Sequence, residues 1–125
     1  MPRSIPVKQS AMKSGKGYIP ARGDVVWLDF NPQMGHEQRG RRPALILSPS
    51  AYHAKTSLCI CLPITTKIKG YPFEVRLPEN LPVKGVILAD QVKSLDFVQR
   101  RAEKIMKLED SLLKQVQRKL LLLID

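Results

Sequence analysis

Acids, cysteines, histidines and long apolar runs are all scarce in this 125-residue sequence, and each scarcity excludes something. Apolar runs such as Leu120 to Ile124 fall far short of the roughly 20 residues that cross a bilayer, and no apolar stretch follows the basic N-terminus as an export signal would require. A cytoplasmic protein is expected. Cys59 and Cys61 are the only cysteines and lie two apart in SLCICLPI, so they share one face of a strand; this suits buried thiols rather than a disulfide framework or a four-ligand zinc site. With His36 and His53 the only histidines, a catalytic metal is not expected either. The sequence contains no phosphate-cradling glycine loop, HExxH or GxSxG, so cofactor-dependent chemistry is unsupported and no cofactor is expected.

What the sequence does have is positive charge. Eleven acids face 21 lysines and arginines, a net charge of +10, which favours a polyanionic partner: nucleic acid or an acidic protein segment. Hydrophobic residues at 43% and charged residues at 26% are near globular averages, so the chain is expected to fold as one domain of ordinary size. The first 22 residues carry Arg3, Lys8, Lys13, Lys16 and Arg22 without an acid and without apolar periodicity. Residues 1–17 read as a flexible basic tail and 18–125 as the folded domain.

From Gly23 onward the pattern is that of strands. DVVWLDF, PALILS, SLCICLPIT, FEVRL and GVILAD are short runs of aliphatic and aromatic residues bounded by glycine, proline or asparagine, and VKSLDFVQ and AEKIMKL add two more. Their close spacing indicates an antiparallel barrel or curled sheet, interrupted by a helical turn or two at SAYHAK, with His53 on its surface. At the C-terminus, Leu112, Leu113, Val116, Leu120, Leu123 and Ile124 recur at helical spacing opposite Lys114, Gln117, Arg118 and Lys119. This predicts an amphipathic helix starting at Glu109 or Asp110.

Two clusters and a turn carry chemistry. The loop QMGHEQRGRR concentrates His36, Glu37, Gln38, Arg39, Arg41 and Arg42, a set able to bind a phosphodiester and stabilise its transition-state charge, although such a loop alone is also an ordinary charged surface. Thr65, Thr66, Lys67 and Lys69 end the next strand run and resemble a phosphate-positioning corner, with Tyr71 and Phe73 available to stack on an unpaired base. GVILADQVK places Asp90 and Gln91 between two strands, where a turn-forming aspartate is the plain alternative.

Taken together and in order, GDVVWLDFNP, GHEQRGRRPALILSP, CLPITTKIKGYPFEV and GVILADQVKSLD resemble the MazF/PemK family, from about Tyr18 to the C-terminus. The resemblance implies a mainly β fold with a C-terminal helix, the SH3-like curled barrel shared by MazF, PemK and CcdB toxins. It also implies a homodimer, an acidic antitoxin of the MazE type as partner, and sequence-specific, metal-independent cleavage of single-stranded RNA. The family's catalytic arginine falls on Arg42 and its threonine on Thr65, with Glu37 and His36 in the GHEQ motif. Gln38, Arg39, Arg41, Thr66, Lys67, Lys69, Tyr71, Phe73, Asp90 and Gln91 are the expected RNA contacts. The chain departs from some relatives at Arg41, where they have histidine, and at Leu88, where a plasmid-borne branch has an acid–base arginine. Two other readings on the same fold are a gyrase-poison-like toxin and a noncatalytic nucleic-acid-binding module.

Overall fold

A computed structural model describes residues 17–30 and 40–125. In chain order the elements are β1 (Asp24–Asp29), β2 (Arg41–Ile46), α1 (Ser50–Thr56), β3 (Leu58–Thr65), β4 (Glu74–Arg76), β5 (Val86–Leu88), β6 (Lys93–Asp96), β7 (Glu103–Lys107) and α2 (Asp110–Ile124). Every strand pairing is antiparallel, and the hydrogen-bonded path runs β4-β5-β3-β2-β1-β7 with β6 paired to β3. All seven strand runs legible in the sequence are thus strands.

The long strand β3 organises this sheet. One edge pairs with β2, while the other pairs first with β6, at Leu58–Cys61, and then with β5, at Ile64 and Thr65. One strand serving two successive neighbours makes the sheet curl, but among the described residues the path ends at β4 and β7 without closing into a barrel.

Alternation along the strands supplies two cores. Val25, Leu45, Leu62 and Ile64 face one side with Val75, Ile87, Leu108, Leu113 and Val116, whereas Val26, Leu28, Ala44, Ile46, Cys59 and Cys61 face the other with Phe97. Valine, isoleucine and leucine suit these pleated, doubly covered positions. The cysteines are fully buried free thiols on one strand face, as their spacing predicts.

Helix α2 begins after Glu109, with Asp110 in its first turn, where a carboxylate complements the helix dipole. Leu113 and Val116 are buried, and Leu112 and Leu120 pack against the first core, but Leu123 and Ile124 are exposed together with Leu121 and Leu122. The apolar stripe therefore outruns the sheet that it covers. Among the described residues no helix is long and apolar enough to cross a membrane.

His53 corrects the sequence reading. Helix α1 forms where SAYHAK predicts it, but His53 is 1% exposed rather than on the surface. Its Nδ1 lies 2.7 Å from the Pro20 carbonyl and its Nε2 2.6 Å from Ser48 Oγ, which itself accepts the Ile60 N–H. A carbonyl can only accept, so Nδ1 carries the proton and Nε2 accepts from the serine hydroxyl. Both ring nitrogens are satisfied in the neutral form. Burial pushes the His53 pKa below its ordinary value, against the opposing pull of the Pro20 carbonyl. Segment 18–22 is tied down in the same region, with Arg22 Nε donating to Leu47 O at 2.7 Å and Tyr18 donating to Asp24 Oδ2 at 2.5 Å.

Candidate active site

The register of β2 against β3 builds the centre of the site. Ala44 stands across from Pro63, and Arg42 and Thr65 each lie two residues beyond this pair on β2 and β3. Thr65 is itself paired with Val86 on its other side. Since strand residues two apart share a face, Arg42 and Thr65 continue the line of Ala44, Pro63 and Cys61 beyond the end of the second core.

A pocket of about 310 Å³ opens there, lined by Phe30, Arg42, Pro63, Ile64, Thr65, Lys67, Lys69, Tyr71, Glu74, Leu88, Gln91 and Lys93. Four cations face one carboxylate over an apolar floor of strand residues. Guanidinium and ammonium donors arranged in this way can bind a phosphate and meet developing negative charge. Thr65 is half-buried, and its Oγ1 accepts the Lys67 N–H at 3.1 Å, which fixes the turn by which the chain leaves β3.

Backbone packing holds Thr65 in place from beneath. At Gly85, φ is +107°, and a methyl group there would lie 2.0 Å from the Thr65 carbonyl oxygen. Only glycine allows β5 to approach the end of β3 so closely.

Six of the residues expected from sequence come together in this pocket: Arg42, Thr65, Lys67, Lys69, Tyr71 and Gln91. Thr66 and Asp90 are exposed near it without lining it, and Phe73 is half-buried against the first core rather than open for stacking. Arg41 is engaged elsewhere. Its guanidinium donates to Asp29 at 2.8 Å, to Glu103 at 3.1 Å and to the Arg101 carbonyl at 2.8 Å. Arg101 also binds Asp29, at 2.7 Å through Nε. Although burial disfavours the charged form of Asp29, hydrogen bonds from Arg101 and Arg41 outweigh it and hold the carboxyl below its usual range.

His36, Glu37, Gln38 and Arg39 lie outside the described residues. The chain departs toward them from Phe30, a wall of the pocket, and the Phe30 N–H donates to Gly40 O at 2.7 Å where it returns. Arg100 clasps the departing strand end through the carbonyls of Asp29 and Phe30, at 3.1 and 3.0 Å.

Sequence reasoning missed three polar or aromatic members of the pocket: Phe30, Glu74 and Lys93. Lys93 could have been found, since it follows Gln91 by two and so shares its side of an extended chain. Phe30 and Glu74 carry no comparable signal, because they enter through long-range strand pairing.

Comparison with known proteins identifies the family. Residues 21–124 match the model of the PemK-like, MazF-like toxin of type II toxin-antitoxin system. The endoribonuclease toxin MazF of Escherichia coli (strain K12) is 53% identical over 87 residues, covering 70% of this chain and 78% of that protein. The crystal structure of MazF from Deinococcus radiodurans superimposes with a TM-score of 0.77 at 52% identity, covering 86% of this chain and 97% of that one. A MazE-MazF crystal structure from the same organism matches with a TM-score of 0.77 at 47% identity, covering 86% and 96%. By sequence across nearly all of the described domain, and by fold, this chain belongs to the PemK/MazF family of type II toxin-antitoxin toxins.

Proposed function

We propose that this toxin is an endoribonuclease that cuts single-stranded RNA at the Arg42–Thr65 pocket, using the RNA's own 2′-hydroxyl as nucleophile and no metal ion. The observation that carries the reading is the meeting of Arg42, Thr65, Lys67, Lys69 and Lys93 around one pocket, in a chain whose relatives are named endoribonucleases. The 2′-oxygen attacks the adjacent phosphorus, giving its proton to Glu37 assisted by His36. The new O2′–P bond forms as the P–O5′ bond breaks. Arg42 gives a proton to the departing 5′-oxygen and regains one through solvent from Glu37, and the products are a 2′,3′-cyclic phosphate and a 5′-hydroxyl. Arg42 stabilises the negative charge on the non-bridging oxygens, and Thr65 positions the phosphate.

The remaining cations and aromatics hold the flanking RNA. Lys67 and Lys69 take neighbouring phosphates, Tyr71 offers a face to an unpaired base, and Gln91 supplies hydrogen bonds to a base edge. Gln38, Arg39, Thr66 and Asp90 complete the RNA contacts. An acidic antitoxin resembling MazE neutralises the toxin by covering this basic surface, and the working form is a homodimer in the cytoplasm. The solved MazE-MazF complexes of a close relative support the partner, and the net charge of +10 supports its acidity.

The test is an RNA oligonucleotide carrying a single 2′-deoxy nucleotide 5′ to the scissile phosphate. Cleavage should vanish at that position alone, and uncut sites elsewhere should remain cleavable. Cutting that persists at the deoxy position would contradict the mechanism, because DNA-like sugar has no internal nucleophile.

A further inference from the structure

We infer that Glu74 is a positioning residue: its carboxylate moulds the loop 66–73 into a preformed platform for the RNA beside the scissile phosphate. This inference rests on the endoribonuclease reading of the same pocket.

The geometry is local and specific. Glu74 opens β4 and lines the pocket, yet its carboxylate turns back onto the loop that precedes it. Oε2 accepts the Lys69 N–H at 3.0 Å and Oε1 accepts the Gly70 N–H at 2.9 Å. Two successive amides converging on one anion form a nest, and hydrogen bonds to a charged acceptor are the strong kind. Gly70 makes the nest possible because its φ of +83° is a left-handed conformation that glycine adopts without strain. The loop is also anchored behind the nest, where the Glu74 N–H donates to Tyr71 O at 3.1 Å and Lys119 Nζ of α2 donates to Pro72 O at 2.6 Å.

The nest fixes the residues that face the RNA. Lys69 contributes one nest amide while its ammonium sits 5.8 Å from the centre of the Tyr71 ring, and both side chains line the pocket. Tyr71 is 57% exposed, a large apolar ring left open to solvent that a stacked base would cover. Without the carboxylate, the Lys69 and Gly70 amides lose this acceptor, and Lys69 and Tyr71 would sample several placements. Arg42 and Thr65 sit on strands and are unaffected. Glu74 therefore acts on substrate binding, and the chemical step is left to the strand residues.

Steady-state cleavage of one RNA by the full-length protein and its Glu74→Ala and Glu74→Gln variants tests this, with amide hydrogen exchange at Lys69 and Gly70 read alongside. Glu74→Ala should raise KM by about tenfold or more while kcat changes by less than about threefold, the pattern of lost binding rather than lost chemistry. Exchange at both amides should accelerate, and Glu74→Gln, which keeps a carbonyl acceptor, should recover part of both effects. A fall in kcat at unchanged KM would overturn the inference and place Glu74 in the chemistry; an unchanged KM and kcat, or unaltered exchange, would overturn it outright. Failure of the wild type to cut RNA would count against the endoribonuclease reading itself.

Discussion

Replacing Gly85 with alanine tests how the fold holds the site. The added methyl carbon would lie 2.0 Å from the Thr65 carbonyl oxygen, 2.8 Å from its carbonyl carbon and 2.9 Å from the Thr66 α-carbon. All three are backbone atoms, so no side-chain rotation relieves the overlap. A non-glycine residue held at φ of +107° costs about 1–3 kcal/mol, and forcing packed backbone apart costs about 1–3 kcal/mol more. The combined loss is then on the order of 4 kcal/mol, which for a domain of this size lowers Tm by roughly 15 °C. Relief requires β5 and the end of β3 to separate, and Thr65 moves with its own carbonyl. A displacement of about 1 Å at a positioning group reduces cleavage by about a hundredfold even where the variant remains folded. Differential scanning calorimetry and an RNA cleavage assay run well below the lowered Tm measure the two effects separately. A Gly85→Ala protein that melts within about 2 °C of wild type and cuts RNA at full rate would show that β5 and the end of β3 tolerate a side chain at this position.

His53 and the cysteines yield further expectations. The folded state holds His53 neutral, so as pH falls below about 6.5 the unfolded chain takes up a proton first and stability declines by up to about 1.4 kcal/mol per pH unit. Urea midpoints compared between pH 8 and pH 5.5 should show this slope, and His53→Gln should flatten it; an equal slope in the variant would assign it to other groups. The Cys61 thiol is pushed well above its ordinary range by the neighbouring Cys59 sulfur and by burial, and both thiols are fully buried. Ellman's reagent should label neither cysteine in the native protein and both in urea, and fast native labelling would contradict the packing of the second core.

The parts of this molecule that were legible in the sequence depend on local pattern. Val25 and Val26 alternate between the two cores as a two-residue period requires, Cys59 and Cys61 share a face for the same reason, and Leu113 and Val116 are buried at helical spacing. The parts that were not legible depend on which strands meet. His53 looks like a surface residue until Ser48 and Pro20 arrive from either side to satisfy its nitrogens. Arg41 looks like a second RNA contact beside Arg42, but β1 lies opposite in register and Asp29 is its direct partner. Glu74 carries no motif at all, and its role arises from a turn that folds two amides back onto it.

The proposed function assigns metal-free RNA cleavage to Arg42 and Thr65, which line one pocket from β2 and β3. The most direct measurement incubates wild type, Arg42→Ala and Thr65→Ala, each verified as folded, with a long single-stranded RNA in EDTA and maps the cut sites and their ends. Discrete cuts by the wild type are expected, leaving 2′,3′-cyclic phosphate and 5′-hydroxyl ends, with the rate lowered by about a hundredfold or more in each variant. Intact RNA with folded, antitoxin-free wild type, or near wild-type cutting by Arg42→Ala, would contradict that assignment.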